Sequence, residues 1–454
     1  MNLEAYQRIL DDLKLDTDKK YLSLQMPIDG FDLNERKIFS HFHDAQGSRY
    51  WFRSKDGRYD SIGIEFQESI KRDKYSAEVL EEQKTSLFAK IQQVAVKDGM
   101  ASSLGLFGGT RFDDKDTTDE WNDFGMVEFH LPKWQFDLAN SELFYTVRTD
   151  EADLDEILID ISDKLKEIGA ITPEPAQAPE VHMMKDIFPE EWKTLVDEAL
   201  GVLDDTDFRK IVLARQRLLT FKAQADPLYL LDRLNDESGT YTIYYEKGQS
   251  IFISKSPEKL FDIKDGVLRT NAIAGSAERT GVEATDEQQK AFLLNDEKNR
   301  YEHELVRESI VQSLQPYTED IEFAEGPDIL SNRYIYHLHT PISAKLAEGA
   351  SLFALLDAIH PTPAVGGMPK DKARDYIMEN EYGTRGLYAA PLGMIHENDD
   401  SEFVVSIRSM LLNSKSATLF AGCGIVRGSS SEKEHEETRV KFTPMLNVLG
   451  VEPE

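Results

Sequence analysis

Two stretches of this chain place carboxylates on helix faces that should be apolar. Glu302 lies four residues before Val306 and eight before Ile310, in a helix predicted over 286–314 with Leu294, Leu305, Val306, Ile310 and Leu314 as apolar positions. That spacing puts its carboxylate in line with part of the stripe. A carboxylate there needs a partner or a proton, and Lys298, one turn earlier, is the ordinary partner. Near the C-terminus, Glu434, Glu437, Lys441, Met445 and Val448 follow one another at spacings of 3, 4, 4 and 3, in a helix expected to start near Ser431 and to kink or break at Pro444. Glu437 and Lys441 can form a plain i,i+4 surface pair. Alternatively, the carboxylates of both helices serve one shared object. Oxygen ligands without cysteine then select a hard divalent cation, with Mg²⁺ the default.

Other residues could act beside such an ion. Lys210 heads the run Ile211-Val-Leu-Ala214, and strand alternation points it to the same face as Val212. A lysine near buried apolar strands can have a lowered pKa and act as a base, while most lysines at strand starts are solvated. Glu258 follows Ser256-Pro257, whose restricted backbone can aim it as a catalytic group or leave it as a turn cap. Ala274-Gly275-Ser276 offers backbone N–H groups to a carboxylate, or forms a hairpin turn. Arg408 ends the apolar run 403–408, where a buried guanidinium takes an anion from ligand or protein. Gly422 and Gly424 flank Cys423 and let backbone approach a ligand or a neighbouring strand. His337 and His339 precede Thr340-Pro341, as pocket or core histidines.

The 454-residue chain has 52 Lys and Arg against 83 Asp and Glu, a net charge of −31. Nucleic acid and anionic membrane are therefore not expected as partners, because phosphate binding needs a basic footprint. A small anion could still bind, given a metal ion or a few cations gathered locally. The single cysteine excludes an intramolecular disulfide and Cys-based zinc or iron–sulfur sites. No apolar run approaches the ~18 residues of a membrane span, and the start, Met1-Asn-Leu-Glu-Ala5, has no secretory pattern. The expected location is the cytoplasm.

Residues 172–180 hold three prolines and read as an extended surface connection. They separate an N-terminal part, 1–171, from a catalytic part, 181–454, the two forming one intertwined domain. In the first part, 75–99 reads as an amphipathic helix, 105–113 as a glycine-punctuated strand pair and 150–167 as an acidic helix. In the second, helices are expected at 184–201, 226–235, 286–314 and 350–358, among short strands at 210–215, 241–245, 251–254, 267–270, 337–340, 403–408 and 417–422. This mixture defines an α+β, layered α/β class: a large, mostly antiparallel β-sheet core flanked by helices.

Taken in order, ten segments resemble the chorismate-utilising enzymes: Lys210-Ile-Val-Leu-Ala-Arg215, Ser256-Pro-Glu258, Ala274-Gly-Ser-Ala-Glu-Arg279, Lys298-Asn-Arg-Tyr-Glu-His303, His337-Leu-His-Thr-Pro341, His360-Pro-Thr-Pro-Ala364, Arg385-Gly-Leu-Tyr-Ala389, Ser406-Ile-Arg408, Phe420-Ala-Gly-Cys-Gly424 and Glu437-Thr-Arg-Val-Lys441. The first part of the chain resembles the family only loosely, mainly around Phe107-Gly-Gly-Thr110. The resemblance implies an anthranilate synthase component I-like fold and chorismate as substrate. It implies Lys210 as the base that activates water for attack at C2, and Glu258 as the acid that protonates the departing C4 hydroxyl. It implies Mg²⁺ held by Glu302 and Glu437, with Glu434 nearby, and gripping the ring carboxylate. Arg408 and Lys441 would hold the enolpyruvyl carboxylate, helped by backbone near Gly422 and Gly424. Gly275 and Ser276 would lie beside the ring carboxylate, and His337, Ala364 and Tyr388 would line the pocket.

Within the family the nearest likeness is to the isochorismate synthases of menaquinone biosynthesis. The ammonia-using anthranilate branch generally lacks a lysine at position 210. No glutamine-amidotransferase segment is fused here, and no such subunit is expected. Salicylate synthases share the base and the metal ligands and add pyruvate elimination; a threonine at position 364, instead of Ala364, would resemble them more. A catalytically silent chorismate-binding homologue is the alternative from another class, against which the intact Lys210, Glu258, Glu302 and Glu437 argue. Asn299, His435 and Thr384 depart from residues common in the family.

Overall fold

The computed structural model describes residues 3–97, 99–115, 119–235, 239–331 and 335–452. Runs rich in β-branched and aromatic residues build its sheet. Tyr241–Lys247 and Ser250–Ser256 form an antiparallel hairpin. Its two-residue turn begins at Gly248 with φ 56°, the left-handed conformation such turns require. The ladder continues from Ser250–Ser256 to Ser409–Asn413, then to Ser416–Ile425 and Lys210–Phe221. On its other side the hairpin pairs with Ser48–Arg53. Gly105–Thr110 is likewise inserted between Pro391–His396 and Val127–Asp137. Among the described residues hydrogen bonding links 21 strands. Among the described residues the pairing of Tyr21–Pro27 with Ile91–Ala95 is parallel and the others are antiparallel.

The two large buried clusters both draw on residues from before and after the 172–180 segment, which contains no helix or strand. Phe107 and Phe129 share one with Phe252 and Phe403; Leu22 and Trp51 share the other with Leu230 and Met445. A buried bidentate pair crosses the same junction, Arg49 donating to Glu246 at 2.6 and 2.7 Å.

Several elements depart from their sequence expectation for local reasons. The 75–99 helix is only Ala77–Ala89, because Ile91–Ala95 is recruited as a strand beside Tyr21–Pro27. The strand pair expected over 105–113 is instead one buried strand, Gly105–Thr110. A Cβ on Gly108 would lie 1.9 Å from the Glu128 carbonyl oxygen, and one on Gly109 1.9 Å from that of Pro391. These glycines therefore serve close strand approach. The acidic residues at 150–156 precede the helix Ile157–Ala170, which buries Ile157, Ile161, Leu165 and Ile168. Residues 184–201 divide between the strand Val181–Asp186 and the helix Pro189–Asp205.

The expected long helix is two helices, Glu283–Asn295 and Glu297–Leu314. Asp296 breaks it by capping the second, accepting from Asn299 N at 2.9 Å. Leu294 therefore falls on the first helix and is exposed, and the buried stripe becomes His303, Val306, Ile310 and Leu314. At the C-terminus, Ser431–Lys441 stops and Pro444 opens a new helix, Thr443–Val448.

A charged feature invisible in the sequence lies beside the site strands. Asp262 and Glu402 face each other across Lys259–Lys264 and Ser401–Val405, and both are buried. Arg58 reaches them at 3.5 and 3.4 Å, and Tyr241 donates to Glu402 at 2.9 Å. Burial still pushes the Glu402 carboxyl up to about 7. A carboxyl raised in the fold contributes most favourably below its unfolded pKa, and that contribution is lost as pH rises through its folded value. Glu402→Gln should therefore raise Tm relative to wild type at pH 8 but not at pH 4, a gap on the order of 3 kcal/mol. Equal shifts at both pH values would contradict this.

Candidate active site

Lys210 opens its strand as expected and lies over Gly424 of the neighbouring strand. A Cβ at Gly424 would sit 2.4 Å from Lys210 Cε and 3.2 Å from its Nζ. The glycine thus leaves room for the amine. Gly422 has a similar role: a Cβ there would meet the Tyr388 hydroxyl at 2.7 Å. The Tyr388 ring stacks on Phe420 at 5.4 Å.

Glu258 is fixed by its backbone. Its N–H donates to Ser256 Oγ at 3.1 Å, and its carbonyl accepts from Val405 N at 3.1 Å. Burial pushes its carboxyl pKa up; Lys210, the Thr362 hydroxyl, Lys441 and Arg408 pull it back without cancelling the rise. The group thus keeps its proton to higher pH than a solvated glutamate, which suits a proton donor. These same influences place Arg408, Lys441 and the Lys210 amine around one carboxyl. A protein of charge −31 has here the local positive set that a small anion needs.

Arg408 does not end a strand. The strand stops at Val405, because the Ser406 hydroxyl is drawn to the carbonyls of Leu387 and Ala390, at 2.5 and 2.7 Å. Arg408 follows at φ 51°, a costly conformation for a residue with a side chain. Lys255 N holds it by donating to its carbonyl at 3.0 Å.

His337 shares a 2.8 Å hydrogen bond with Ser276 Oγ. Burial lowers its pKa, a hydrogen bond with the Gly275 backbone opposes the fall, and Arg408 and Lys441 add to it. His339 instead pairs with Asn271 at 2.9 Å and is half-buried. Gly275 is a β-bulge at φ 74°, where the register between Val267–Glu278 and Ile335–Leu346 slips. It rests against the Asn299 side chain, a Cβ there falling 3.2 Å from Asn299 Oδ1. Glu302 stands one turn beyond Asn299 on that helix. Among the described residues Glu302 makes no ion pair or hydrogen bond, so the Lys298 pairing does not form. Ala364 is exposed in the turn that also carries Thr362.

The helix Ser431–Lys441 is held to the sheet by Arg215. Its guanidinium donates to Thr438 Oγ1 at 2.7 Å, to the His435 carbonyl at 3.1 Å and to Asp186 at 2.6 Å. Lys441 donates to the Gly422 carbonyl at 2.9 Å and pairs with Glu437 at 2.7 Å, the plain i,i+4 pair of the sequence. Burial pushes the Cys423 thiol up, and Glu434 beside it adds to the rise and accepts its hydrogen bond.

Among the described residues no group of three or more His, Cys, Asp or Glu side chains stands close enough to hold a metal ion. Glu437 is engaged by Lys441. The donor chemistry of Glu302, Glu434 and Glu437, all carboxylate oxygen, nevertheless suits a hard divalent cation.

The structure thus brings Lys210, Glu258, Arg408, Lys441, His337, Tyr388, Gly422 and Gly424 to one place. Gly275 and Ser276 join through His337, and Glu434 and Glu437 through Cys423 and Lys441. Sequence reasoning gave Thr362 no role of its own; its signal was its place in the segment His360-Pro-Thr-Pro-Ala364.

The Chorismate binding enzyme family matches residues 5–450. The isochorismate synthase MenF of Bacillus subtilis (strain 168) is 32% identical over 423 residues, 89% of this chain and 88% of that protein. The solved structure of MenF, the menaquinone-specific isochorismate synthase from Escherichia coli, aligns with a TM-score of 0.79 at 23% identity, covering 98% of this chain and 99% of that one. Anthranilate synthase component I from Streptococcus pneumoniae TIGR4 aligns at 0.68 and 19% identity, over 97% and 96%. The chain belongs to the chorismate-binding enzymes, and its fold is the one these two structures share.

Proposed function

We propose that this protein is an isochorismate synthase, an isomerase that converts chorismate to isochorismate for menaquinone biosynthesis. The observation that carries the reading is the placing of Lys210, Arg408 and Lys441 around a Glu258 carboxyl whose pKa burial raises. Moving a hydroxyl from C4 to C2 of one ring needs a base and an acid, each worth typically about 10²–10⁴-fold. Lys210 takes a proton from water as its oxygen bonds to C2. The ring double bonds shift, the C4–O bond breaks, and Glu258 supplies the proton with which that oxygen leaves as water. Arg408 and Lys441 bind the enolpyruvyl carboxylate, and His337 with Ser276 lines the ring. Glu302, Glu434 and Glu437 would hold Mg²⁺, which when bound draws ring charge toward the ring carboxylate.

The test is incubation with chorismate and Mg²⁺ followed by chromatography. Isochorismate is expected; salicylate with pyruvate would make the protein a salicylate synthase, and no product would make it a silent homologue. EDTA should stop turnover and excess Mg²⁺ should restore it. Indifference to chelation would remove the metal from the account. Among the described residues no helix is long and apolar enough to cross a membrane.

A further inference from the structure

The strand that carries Lys210 has a gap along one edge. There it pairs with Gly367–Met368 at Lys210 and Ile211, and with Val181–Asp186 from Arg217 onward. Between these short partners Val212 N donates to the Gly366 carbonyl at 2.9 Å, while the Val212 carbonyl and Ala214 N face no strand. Glu381 and Arg385 fill the gap. Ala214 N donates to Glu381 Oε1 at 2.7 Å, and Arg385 Nη2 donates to the Val212 carbonyl at 2.8 Å. The two side chains form a bidentate pair, with Arg385 Nε 2.8 Å from Glu381 Oε2 and Nη2 bonded to Oε1. Both are buried, at 4% and 6% side-chain exposure. The remaining arm of the guanidinium, Nη1, donates to the Val365 carbonyl at 2.7 Å. Val365 belongs to the turn that carries Thr362, whose buried hydroxyl has no hydrogen-bond partner among the described residues but lies near enough to Glu258 to lower its carboxyl pKa. Asp113 fixes the clamp from behind, accepting from the backbone N–H of Arg385 at 2.7 Å.

Resting on the isochorismate synthase reading, we propose that Arg385, seated by Glu381, is the positioning residue that sets the base against the acid. One guanidinium ties the Lys210 strand to the Thr362 turn, and touches neither reacting group. A planar fork is required, because an ammonium cannot meet a carboxylate edge-on and two diverging carbonyls together. When the fork is lost, the turn relaxes, Thr362 leaves Glu258, and the carboxyl pKa rises.

The test compares wild type with Arg385→Lys, Glu381→Gln and Thr362→Val, assayed with chorismate across pH, with thermal melting in parallel. Arg385→Lys should lower kcat about 10²-fold with KM little changed, the size of effect a displacement of about 1 Å can produce. The limb of the pH–rate profile that reports Glu258 should move to higher pH. Thr362→Val should reproduce that movement, and adding it to Arg385→Lys should move the limb no further. Glu381→Gln, which keeps shape and hydrogen-bonding oxygen, should give a smaller loss of the same kind and serves as the readout if Arg385→Lys does not fold. Variants that melt lower but keep the wild-type kcat and pH limbs per folded molecule would overturn the proposal, leaving Arg385 structural. Wild type without turnover of chorismate would instead overturn the function reading, and the positioning role with it.

Discussion

Lys210→Ala should lower kcat by about 10²–10⁴-fold while leaving the protein folded. The fold should survive because the side chain is only partly buried and heads its strand, so the stability cost is about 1 kcal/mol or less. Lys210→Arg distinguishes a base from a mere positive charge. A guanidinium stays protonated throughout the working pH range and cannot accept a proton from water. The arginine variant should therefore be as inactive as the alanine variant. Retained activity in Lys210→Arg would reduce Lys210 to an electrostatic part, and retained activity in Lys210→Ala would remove it altogether. The assay is initial rate at saturating chorismate, with circular dichroism to confirm the fold.

Glu258→Gln is expected to cost a similar factor, about 10²–10⁴ in kcat. The amide nearly matches the carboxyl in shape but has no acidic proton for the leaving oxygen. The pH dependence should change as well. In the wild type, burial raises the carboxyl pKa above that of a solvated glutamate, against the pull of Lys210, Thr362, Lys441 and Arg408. One limb of the profile should therefore lie above the ordinary carboxyl range, and it should vanish in Glu258→Gln. A Glu258→Gln enzyme with a wild-type profile would assign the acid elsewhere.

The site was legible in the sequence wherever residue type alone carried the constraint. Glycines at 422 and 424 could be read as close approach, and the structure supplies what approaches them: the Tyr388 hydroxyl and the Lys210 stem. Gly275 was readable as a special backbone position, but its being a bulge depends on a register between strands some sixty residues apart, as in the pairing of Ser276 with His337. Arg408 was expected to end a strand; instead a serine hydroxyl two residues earlier competes for strand carbonyls and turns the chain. The break at Asp296 was missed because helical periodicity continues across it while a single capping carboxylate ends one helix and starts the next. The Asp262–Glu402 facing pair and the Glu381–Arg385 clamp left no local signature, since each depends on which strand lies beside which.

The helix Ser431–Lys441 shows where pattern and geometry part. The spacing of Glu434, Glu437 and Lys441 allowed either a surface pair or shared ligands, and the Glu437–Lys441 ion pair is formed. Recruiting Glu437 to Mg²⁺ would free Lys441 for the substrate carboxylate, so chelation should weaken chorismate binding as well as stop turnover.

The central claim is that the new hydroxyl comes from water deprotonated by Lys210. Turnover of unlabelled chorismate in water enriched in ¹⁸O, followed by mass spectrometry of isochorismate at low conversion, tests it most directly. The account predicts one ¹⁸O in each product molecule, carried on C2. Product without label would mean that the C4 hydroxyl migrates within the substrate, and would contradict the assignment of base and acid together.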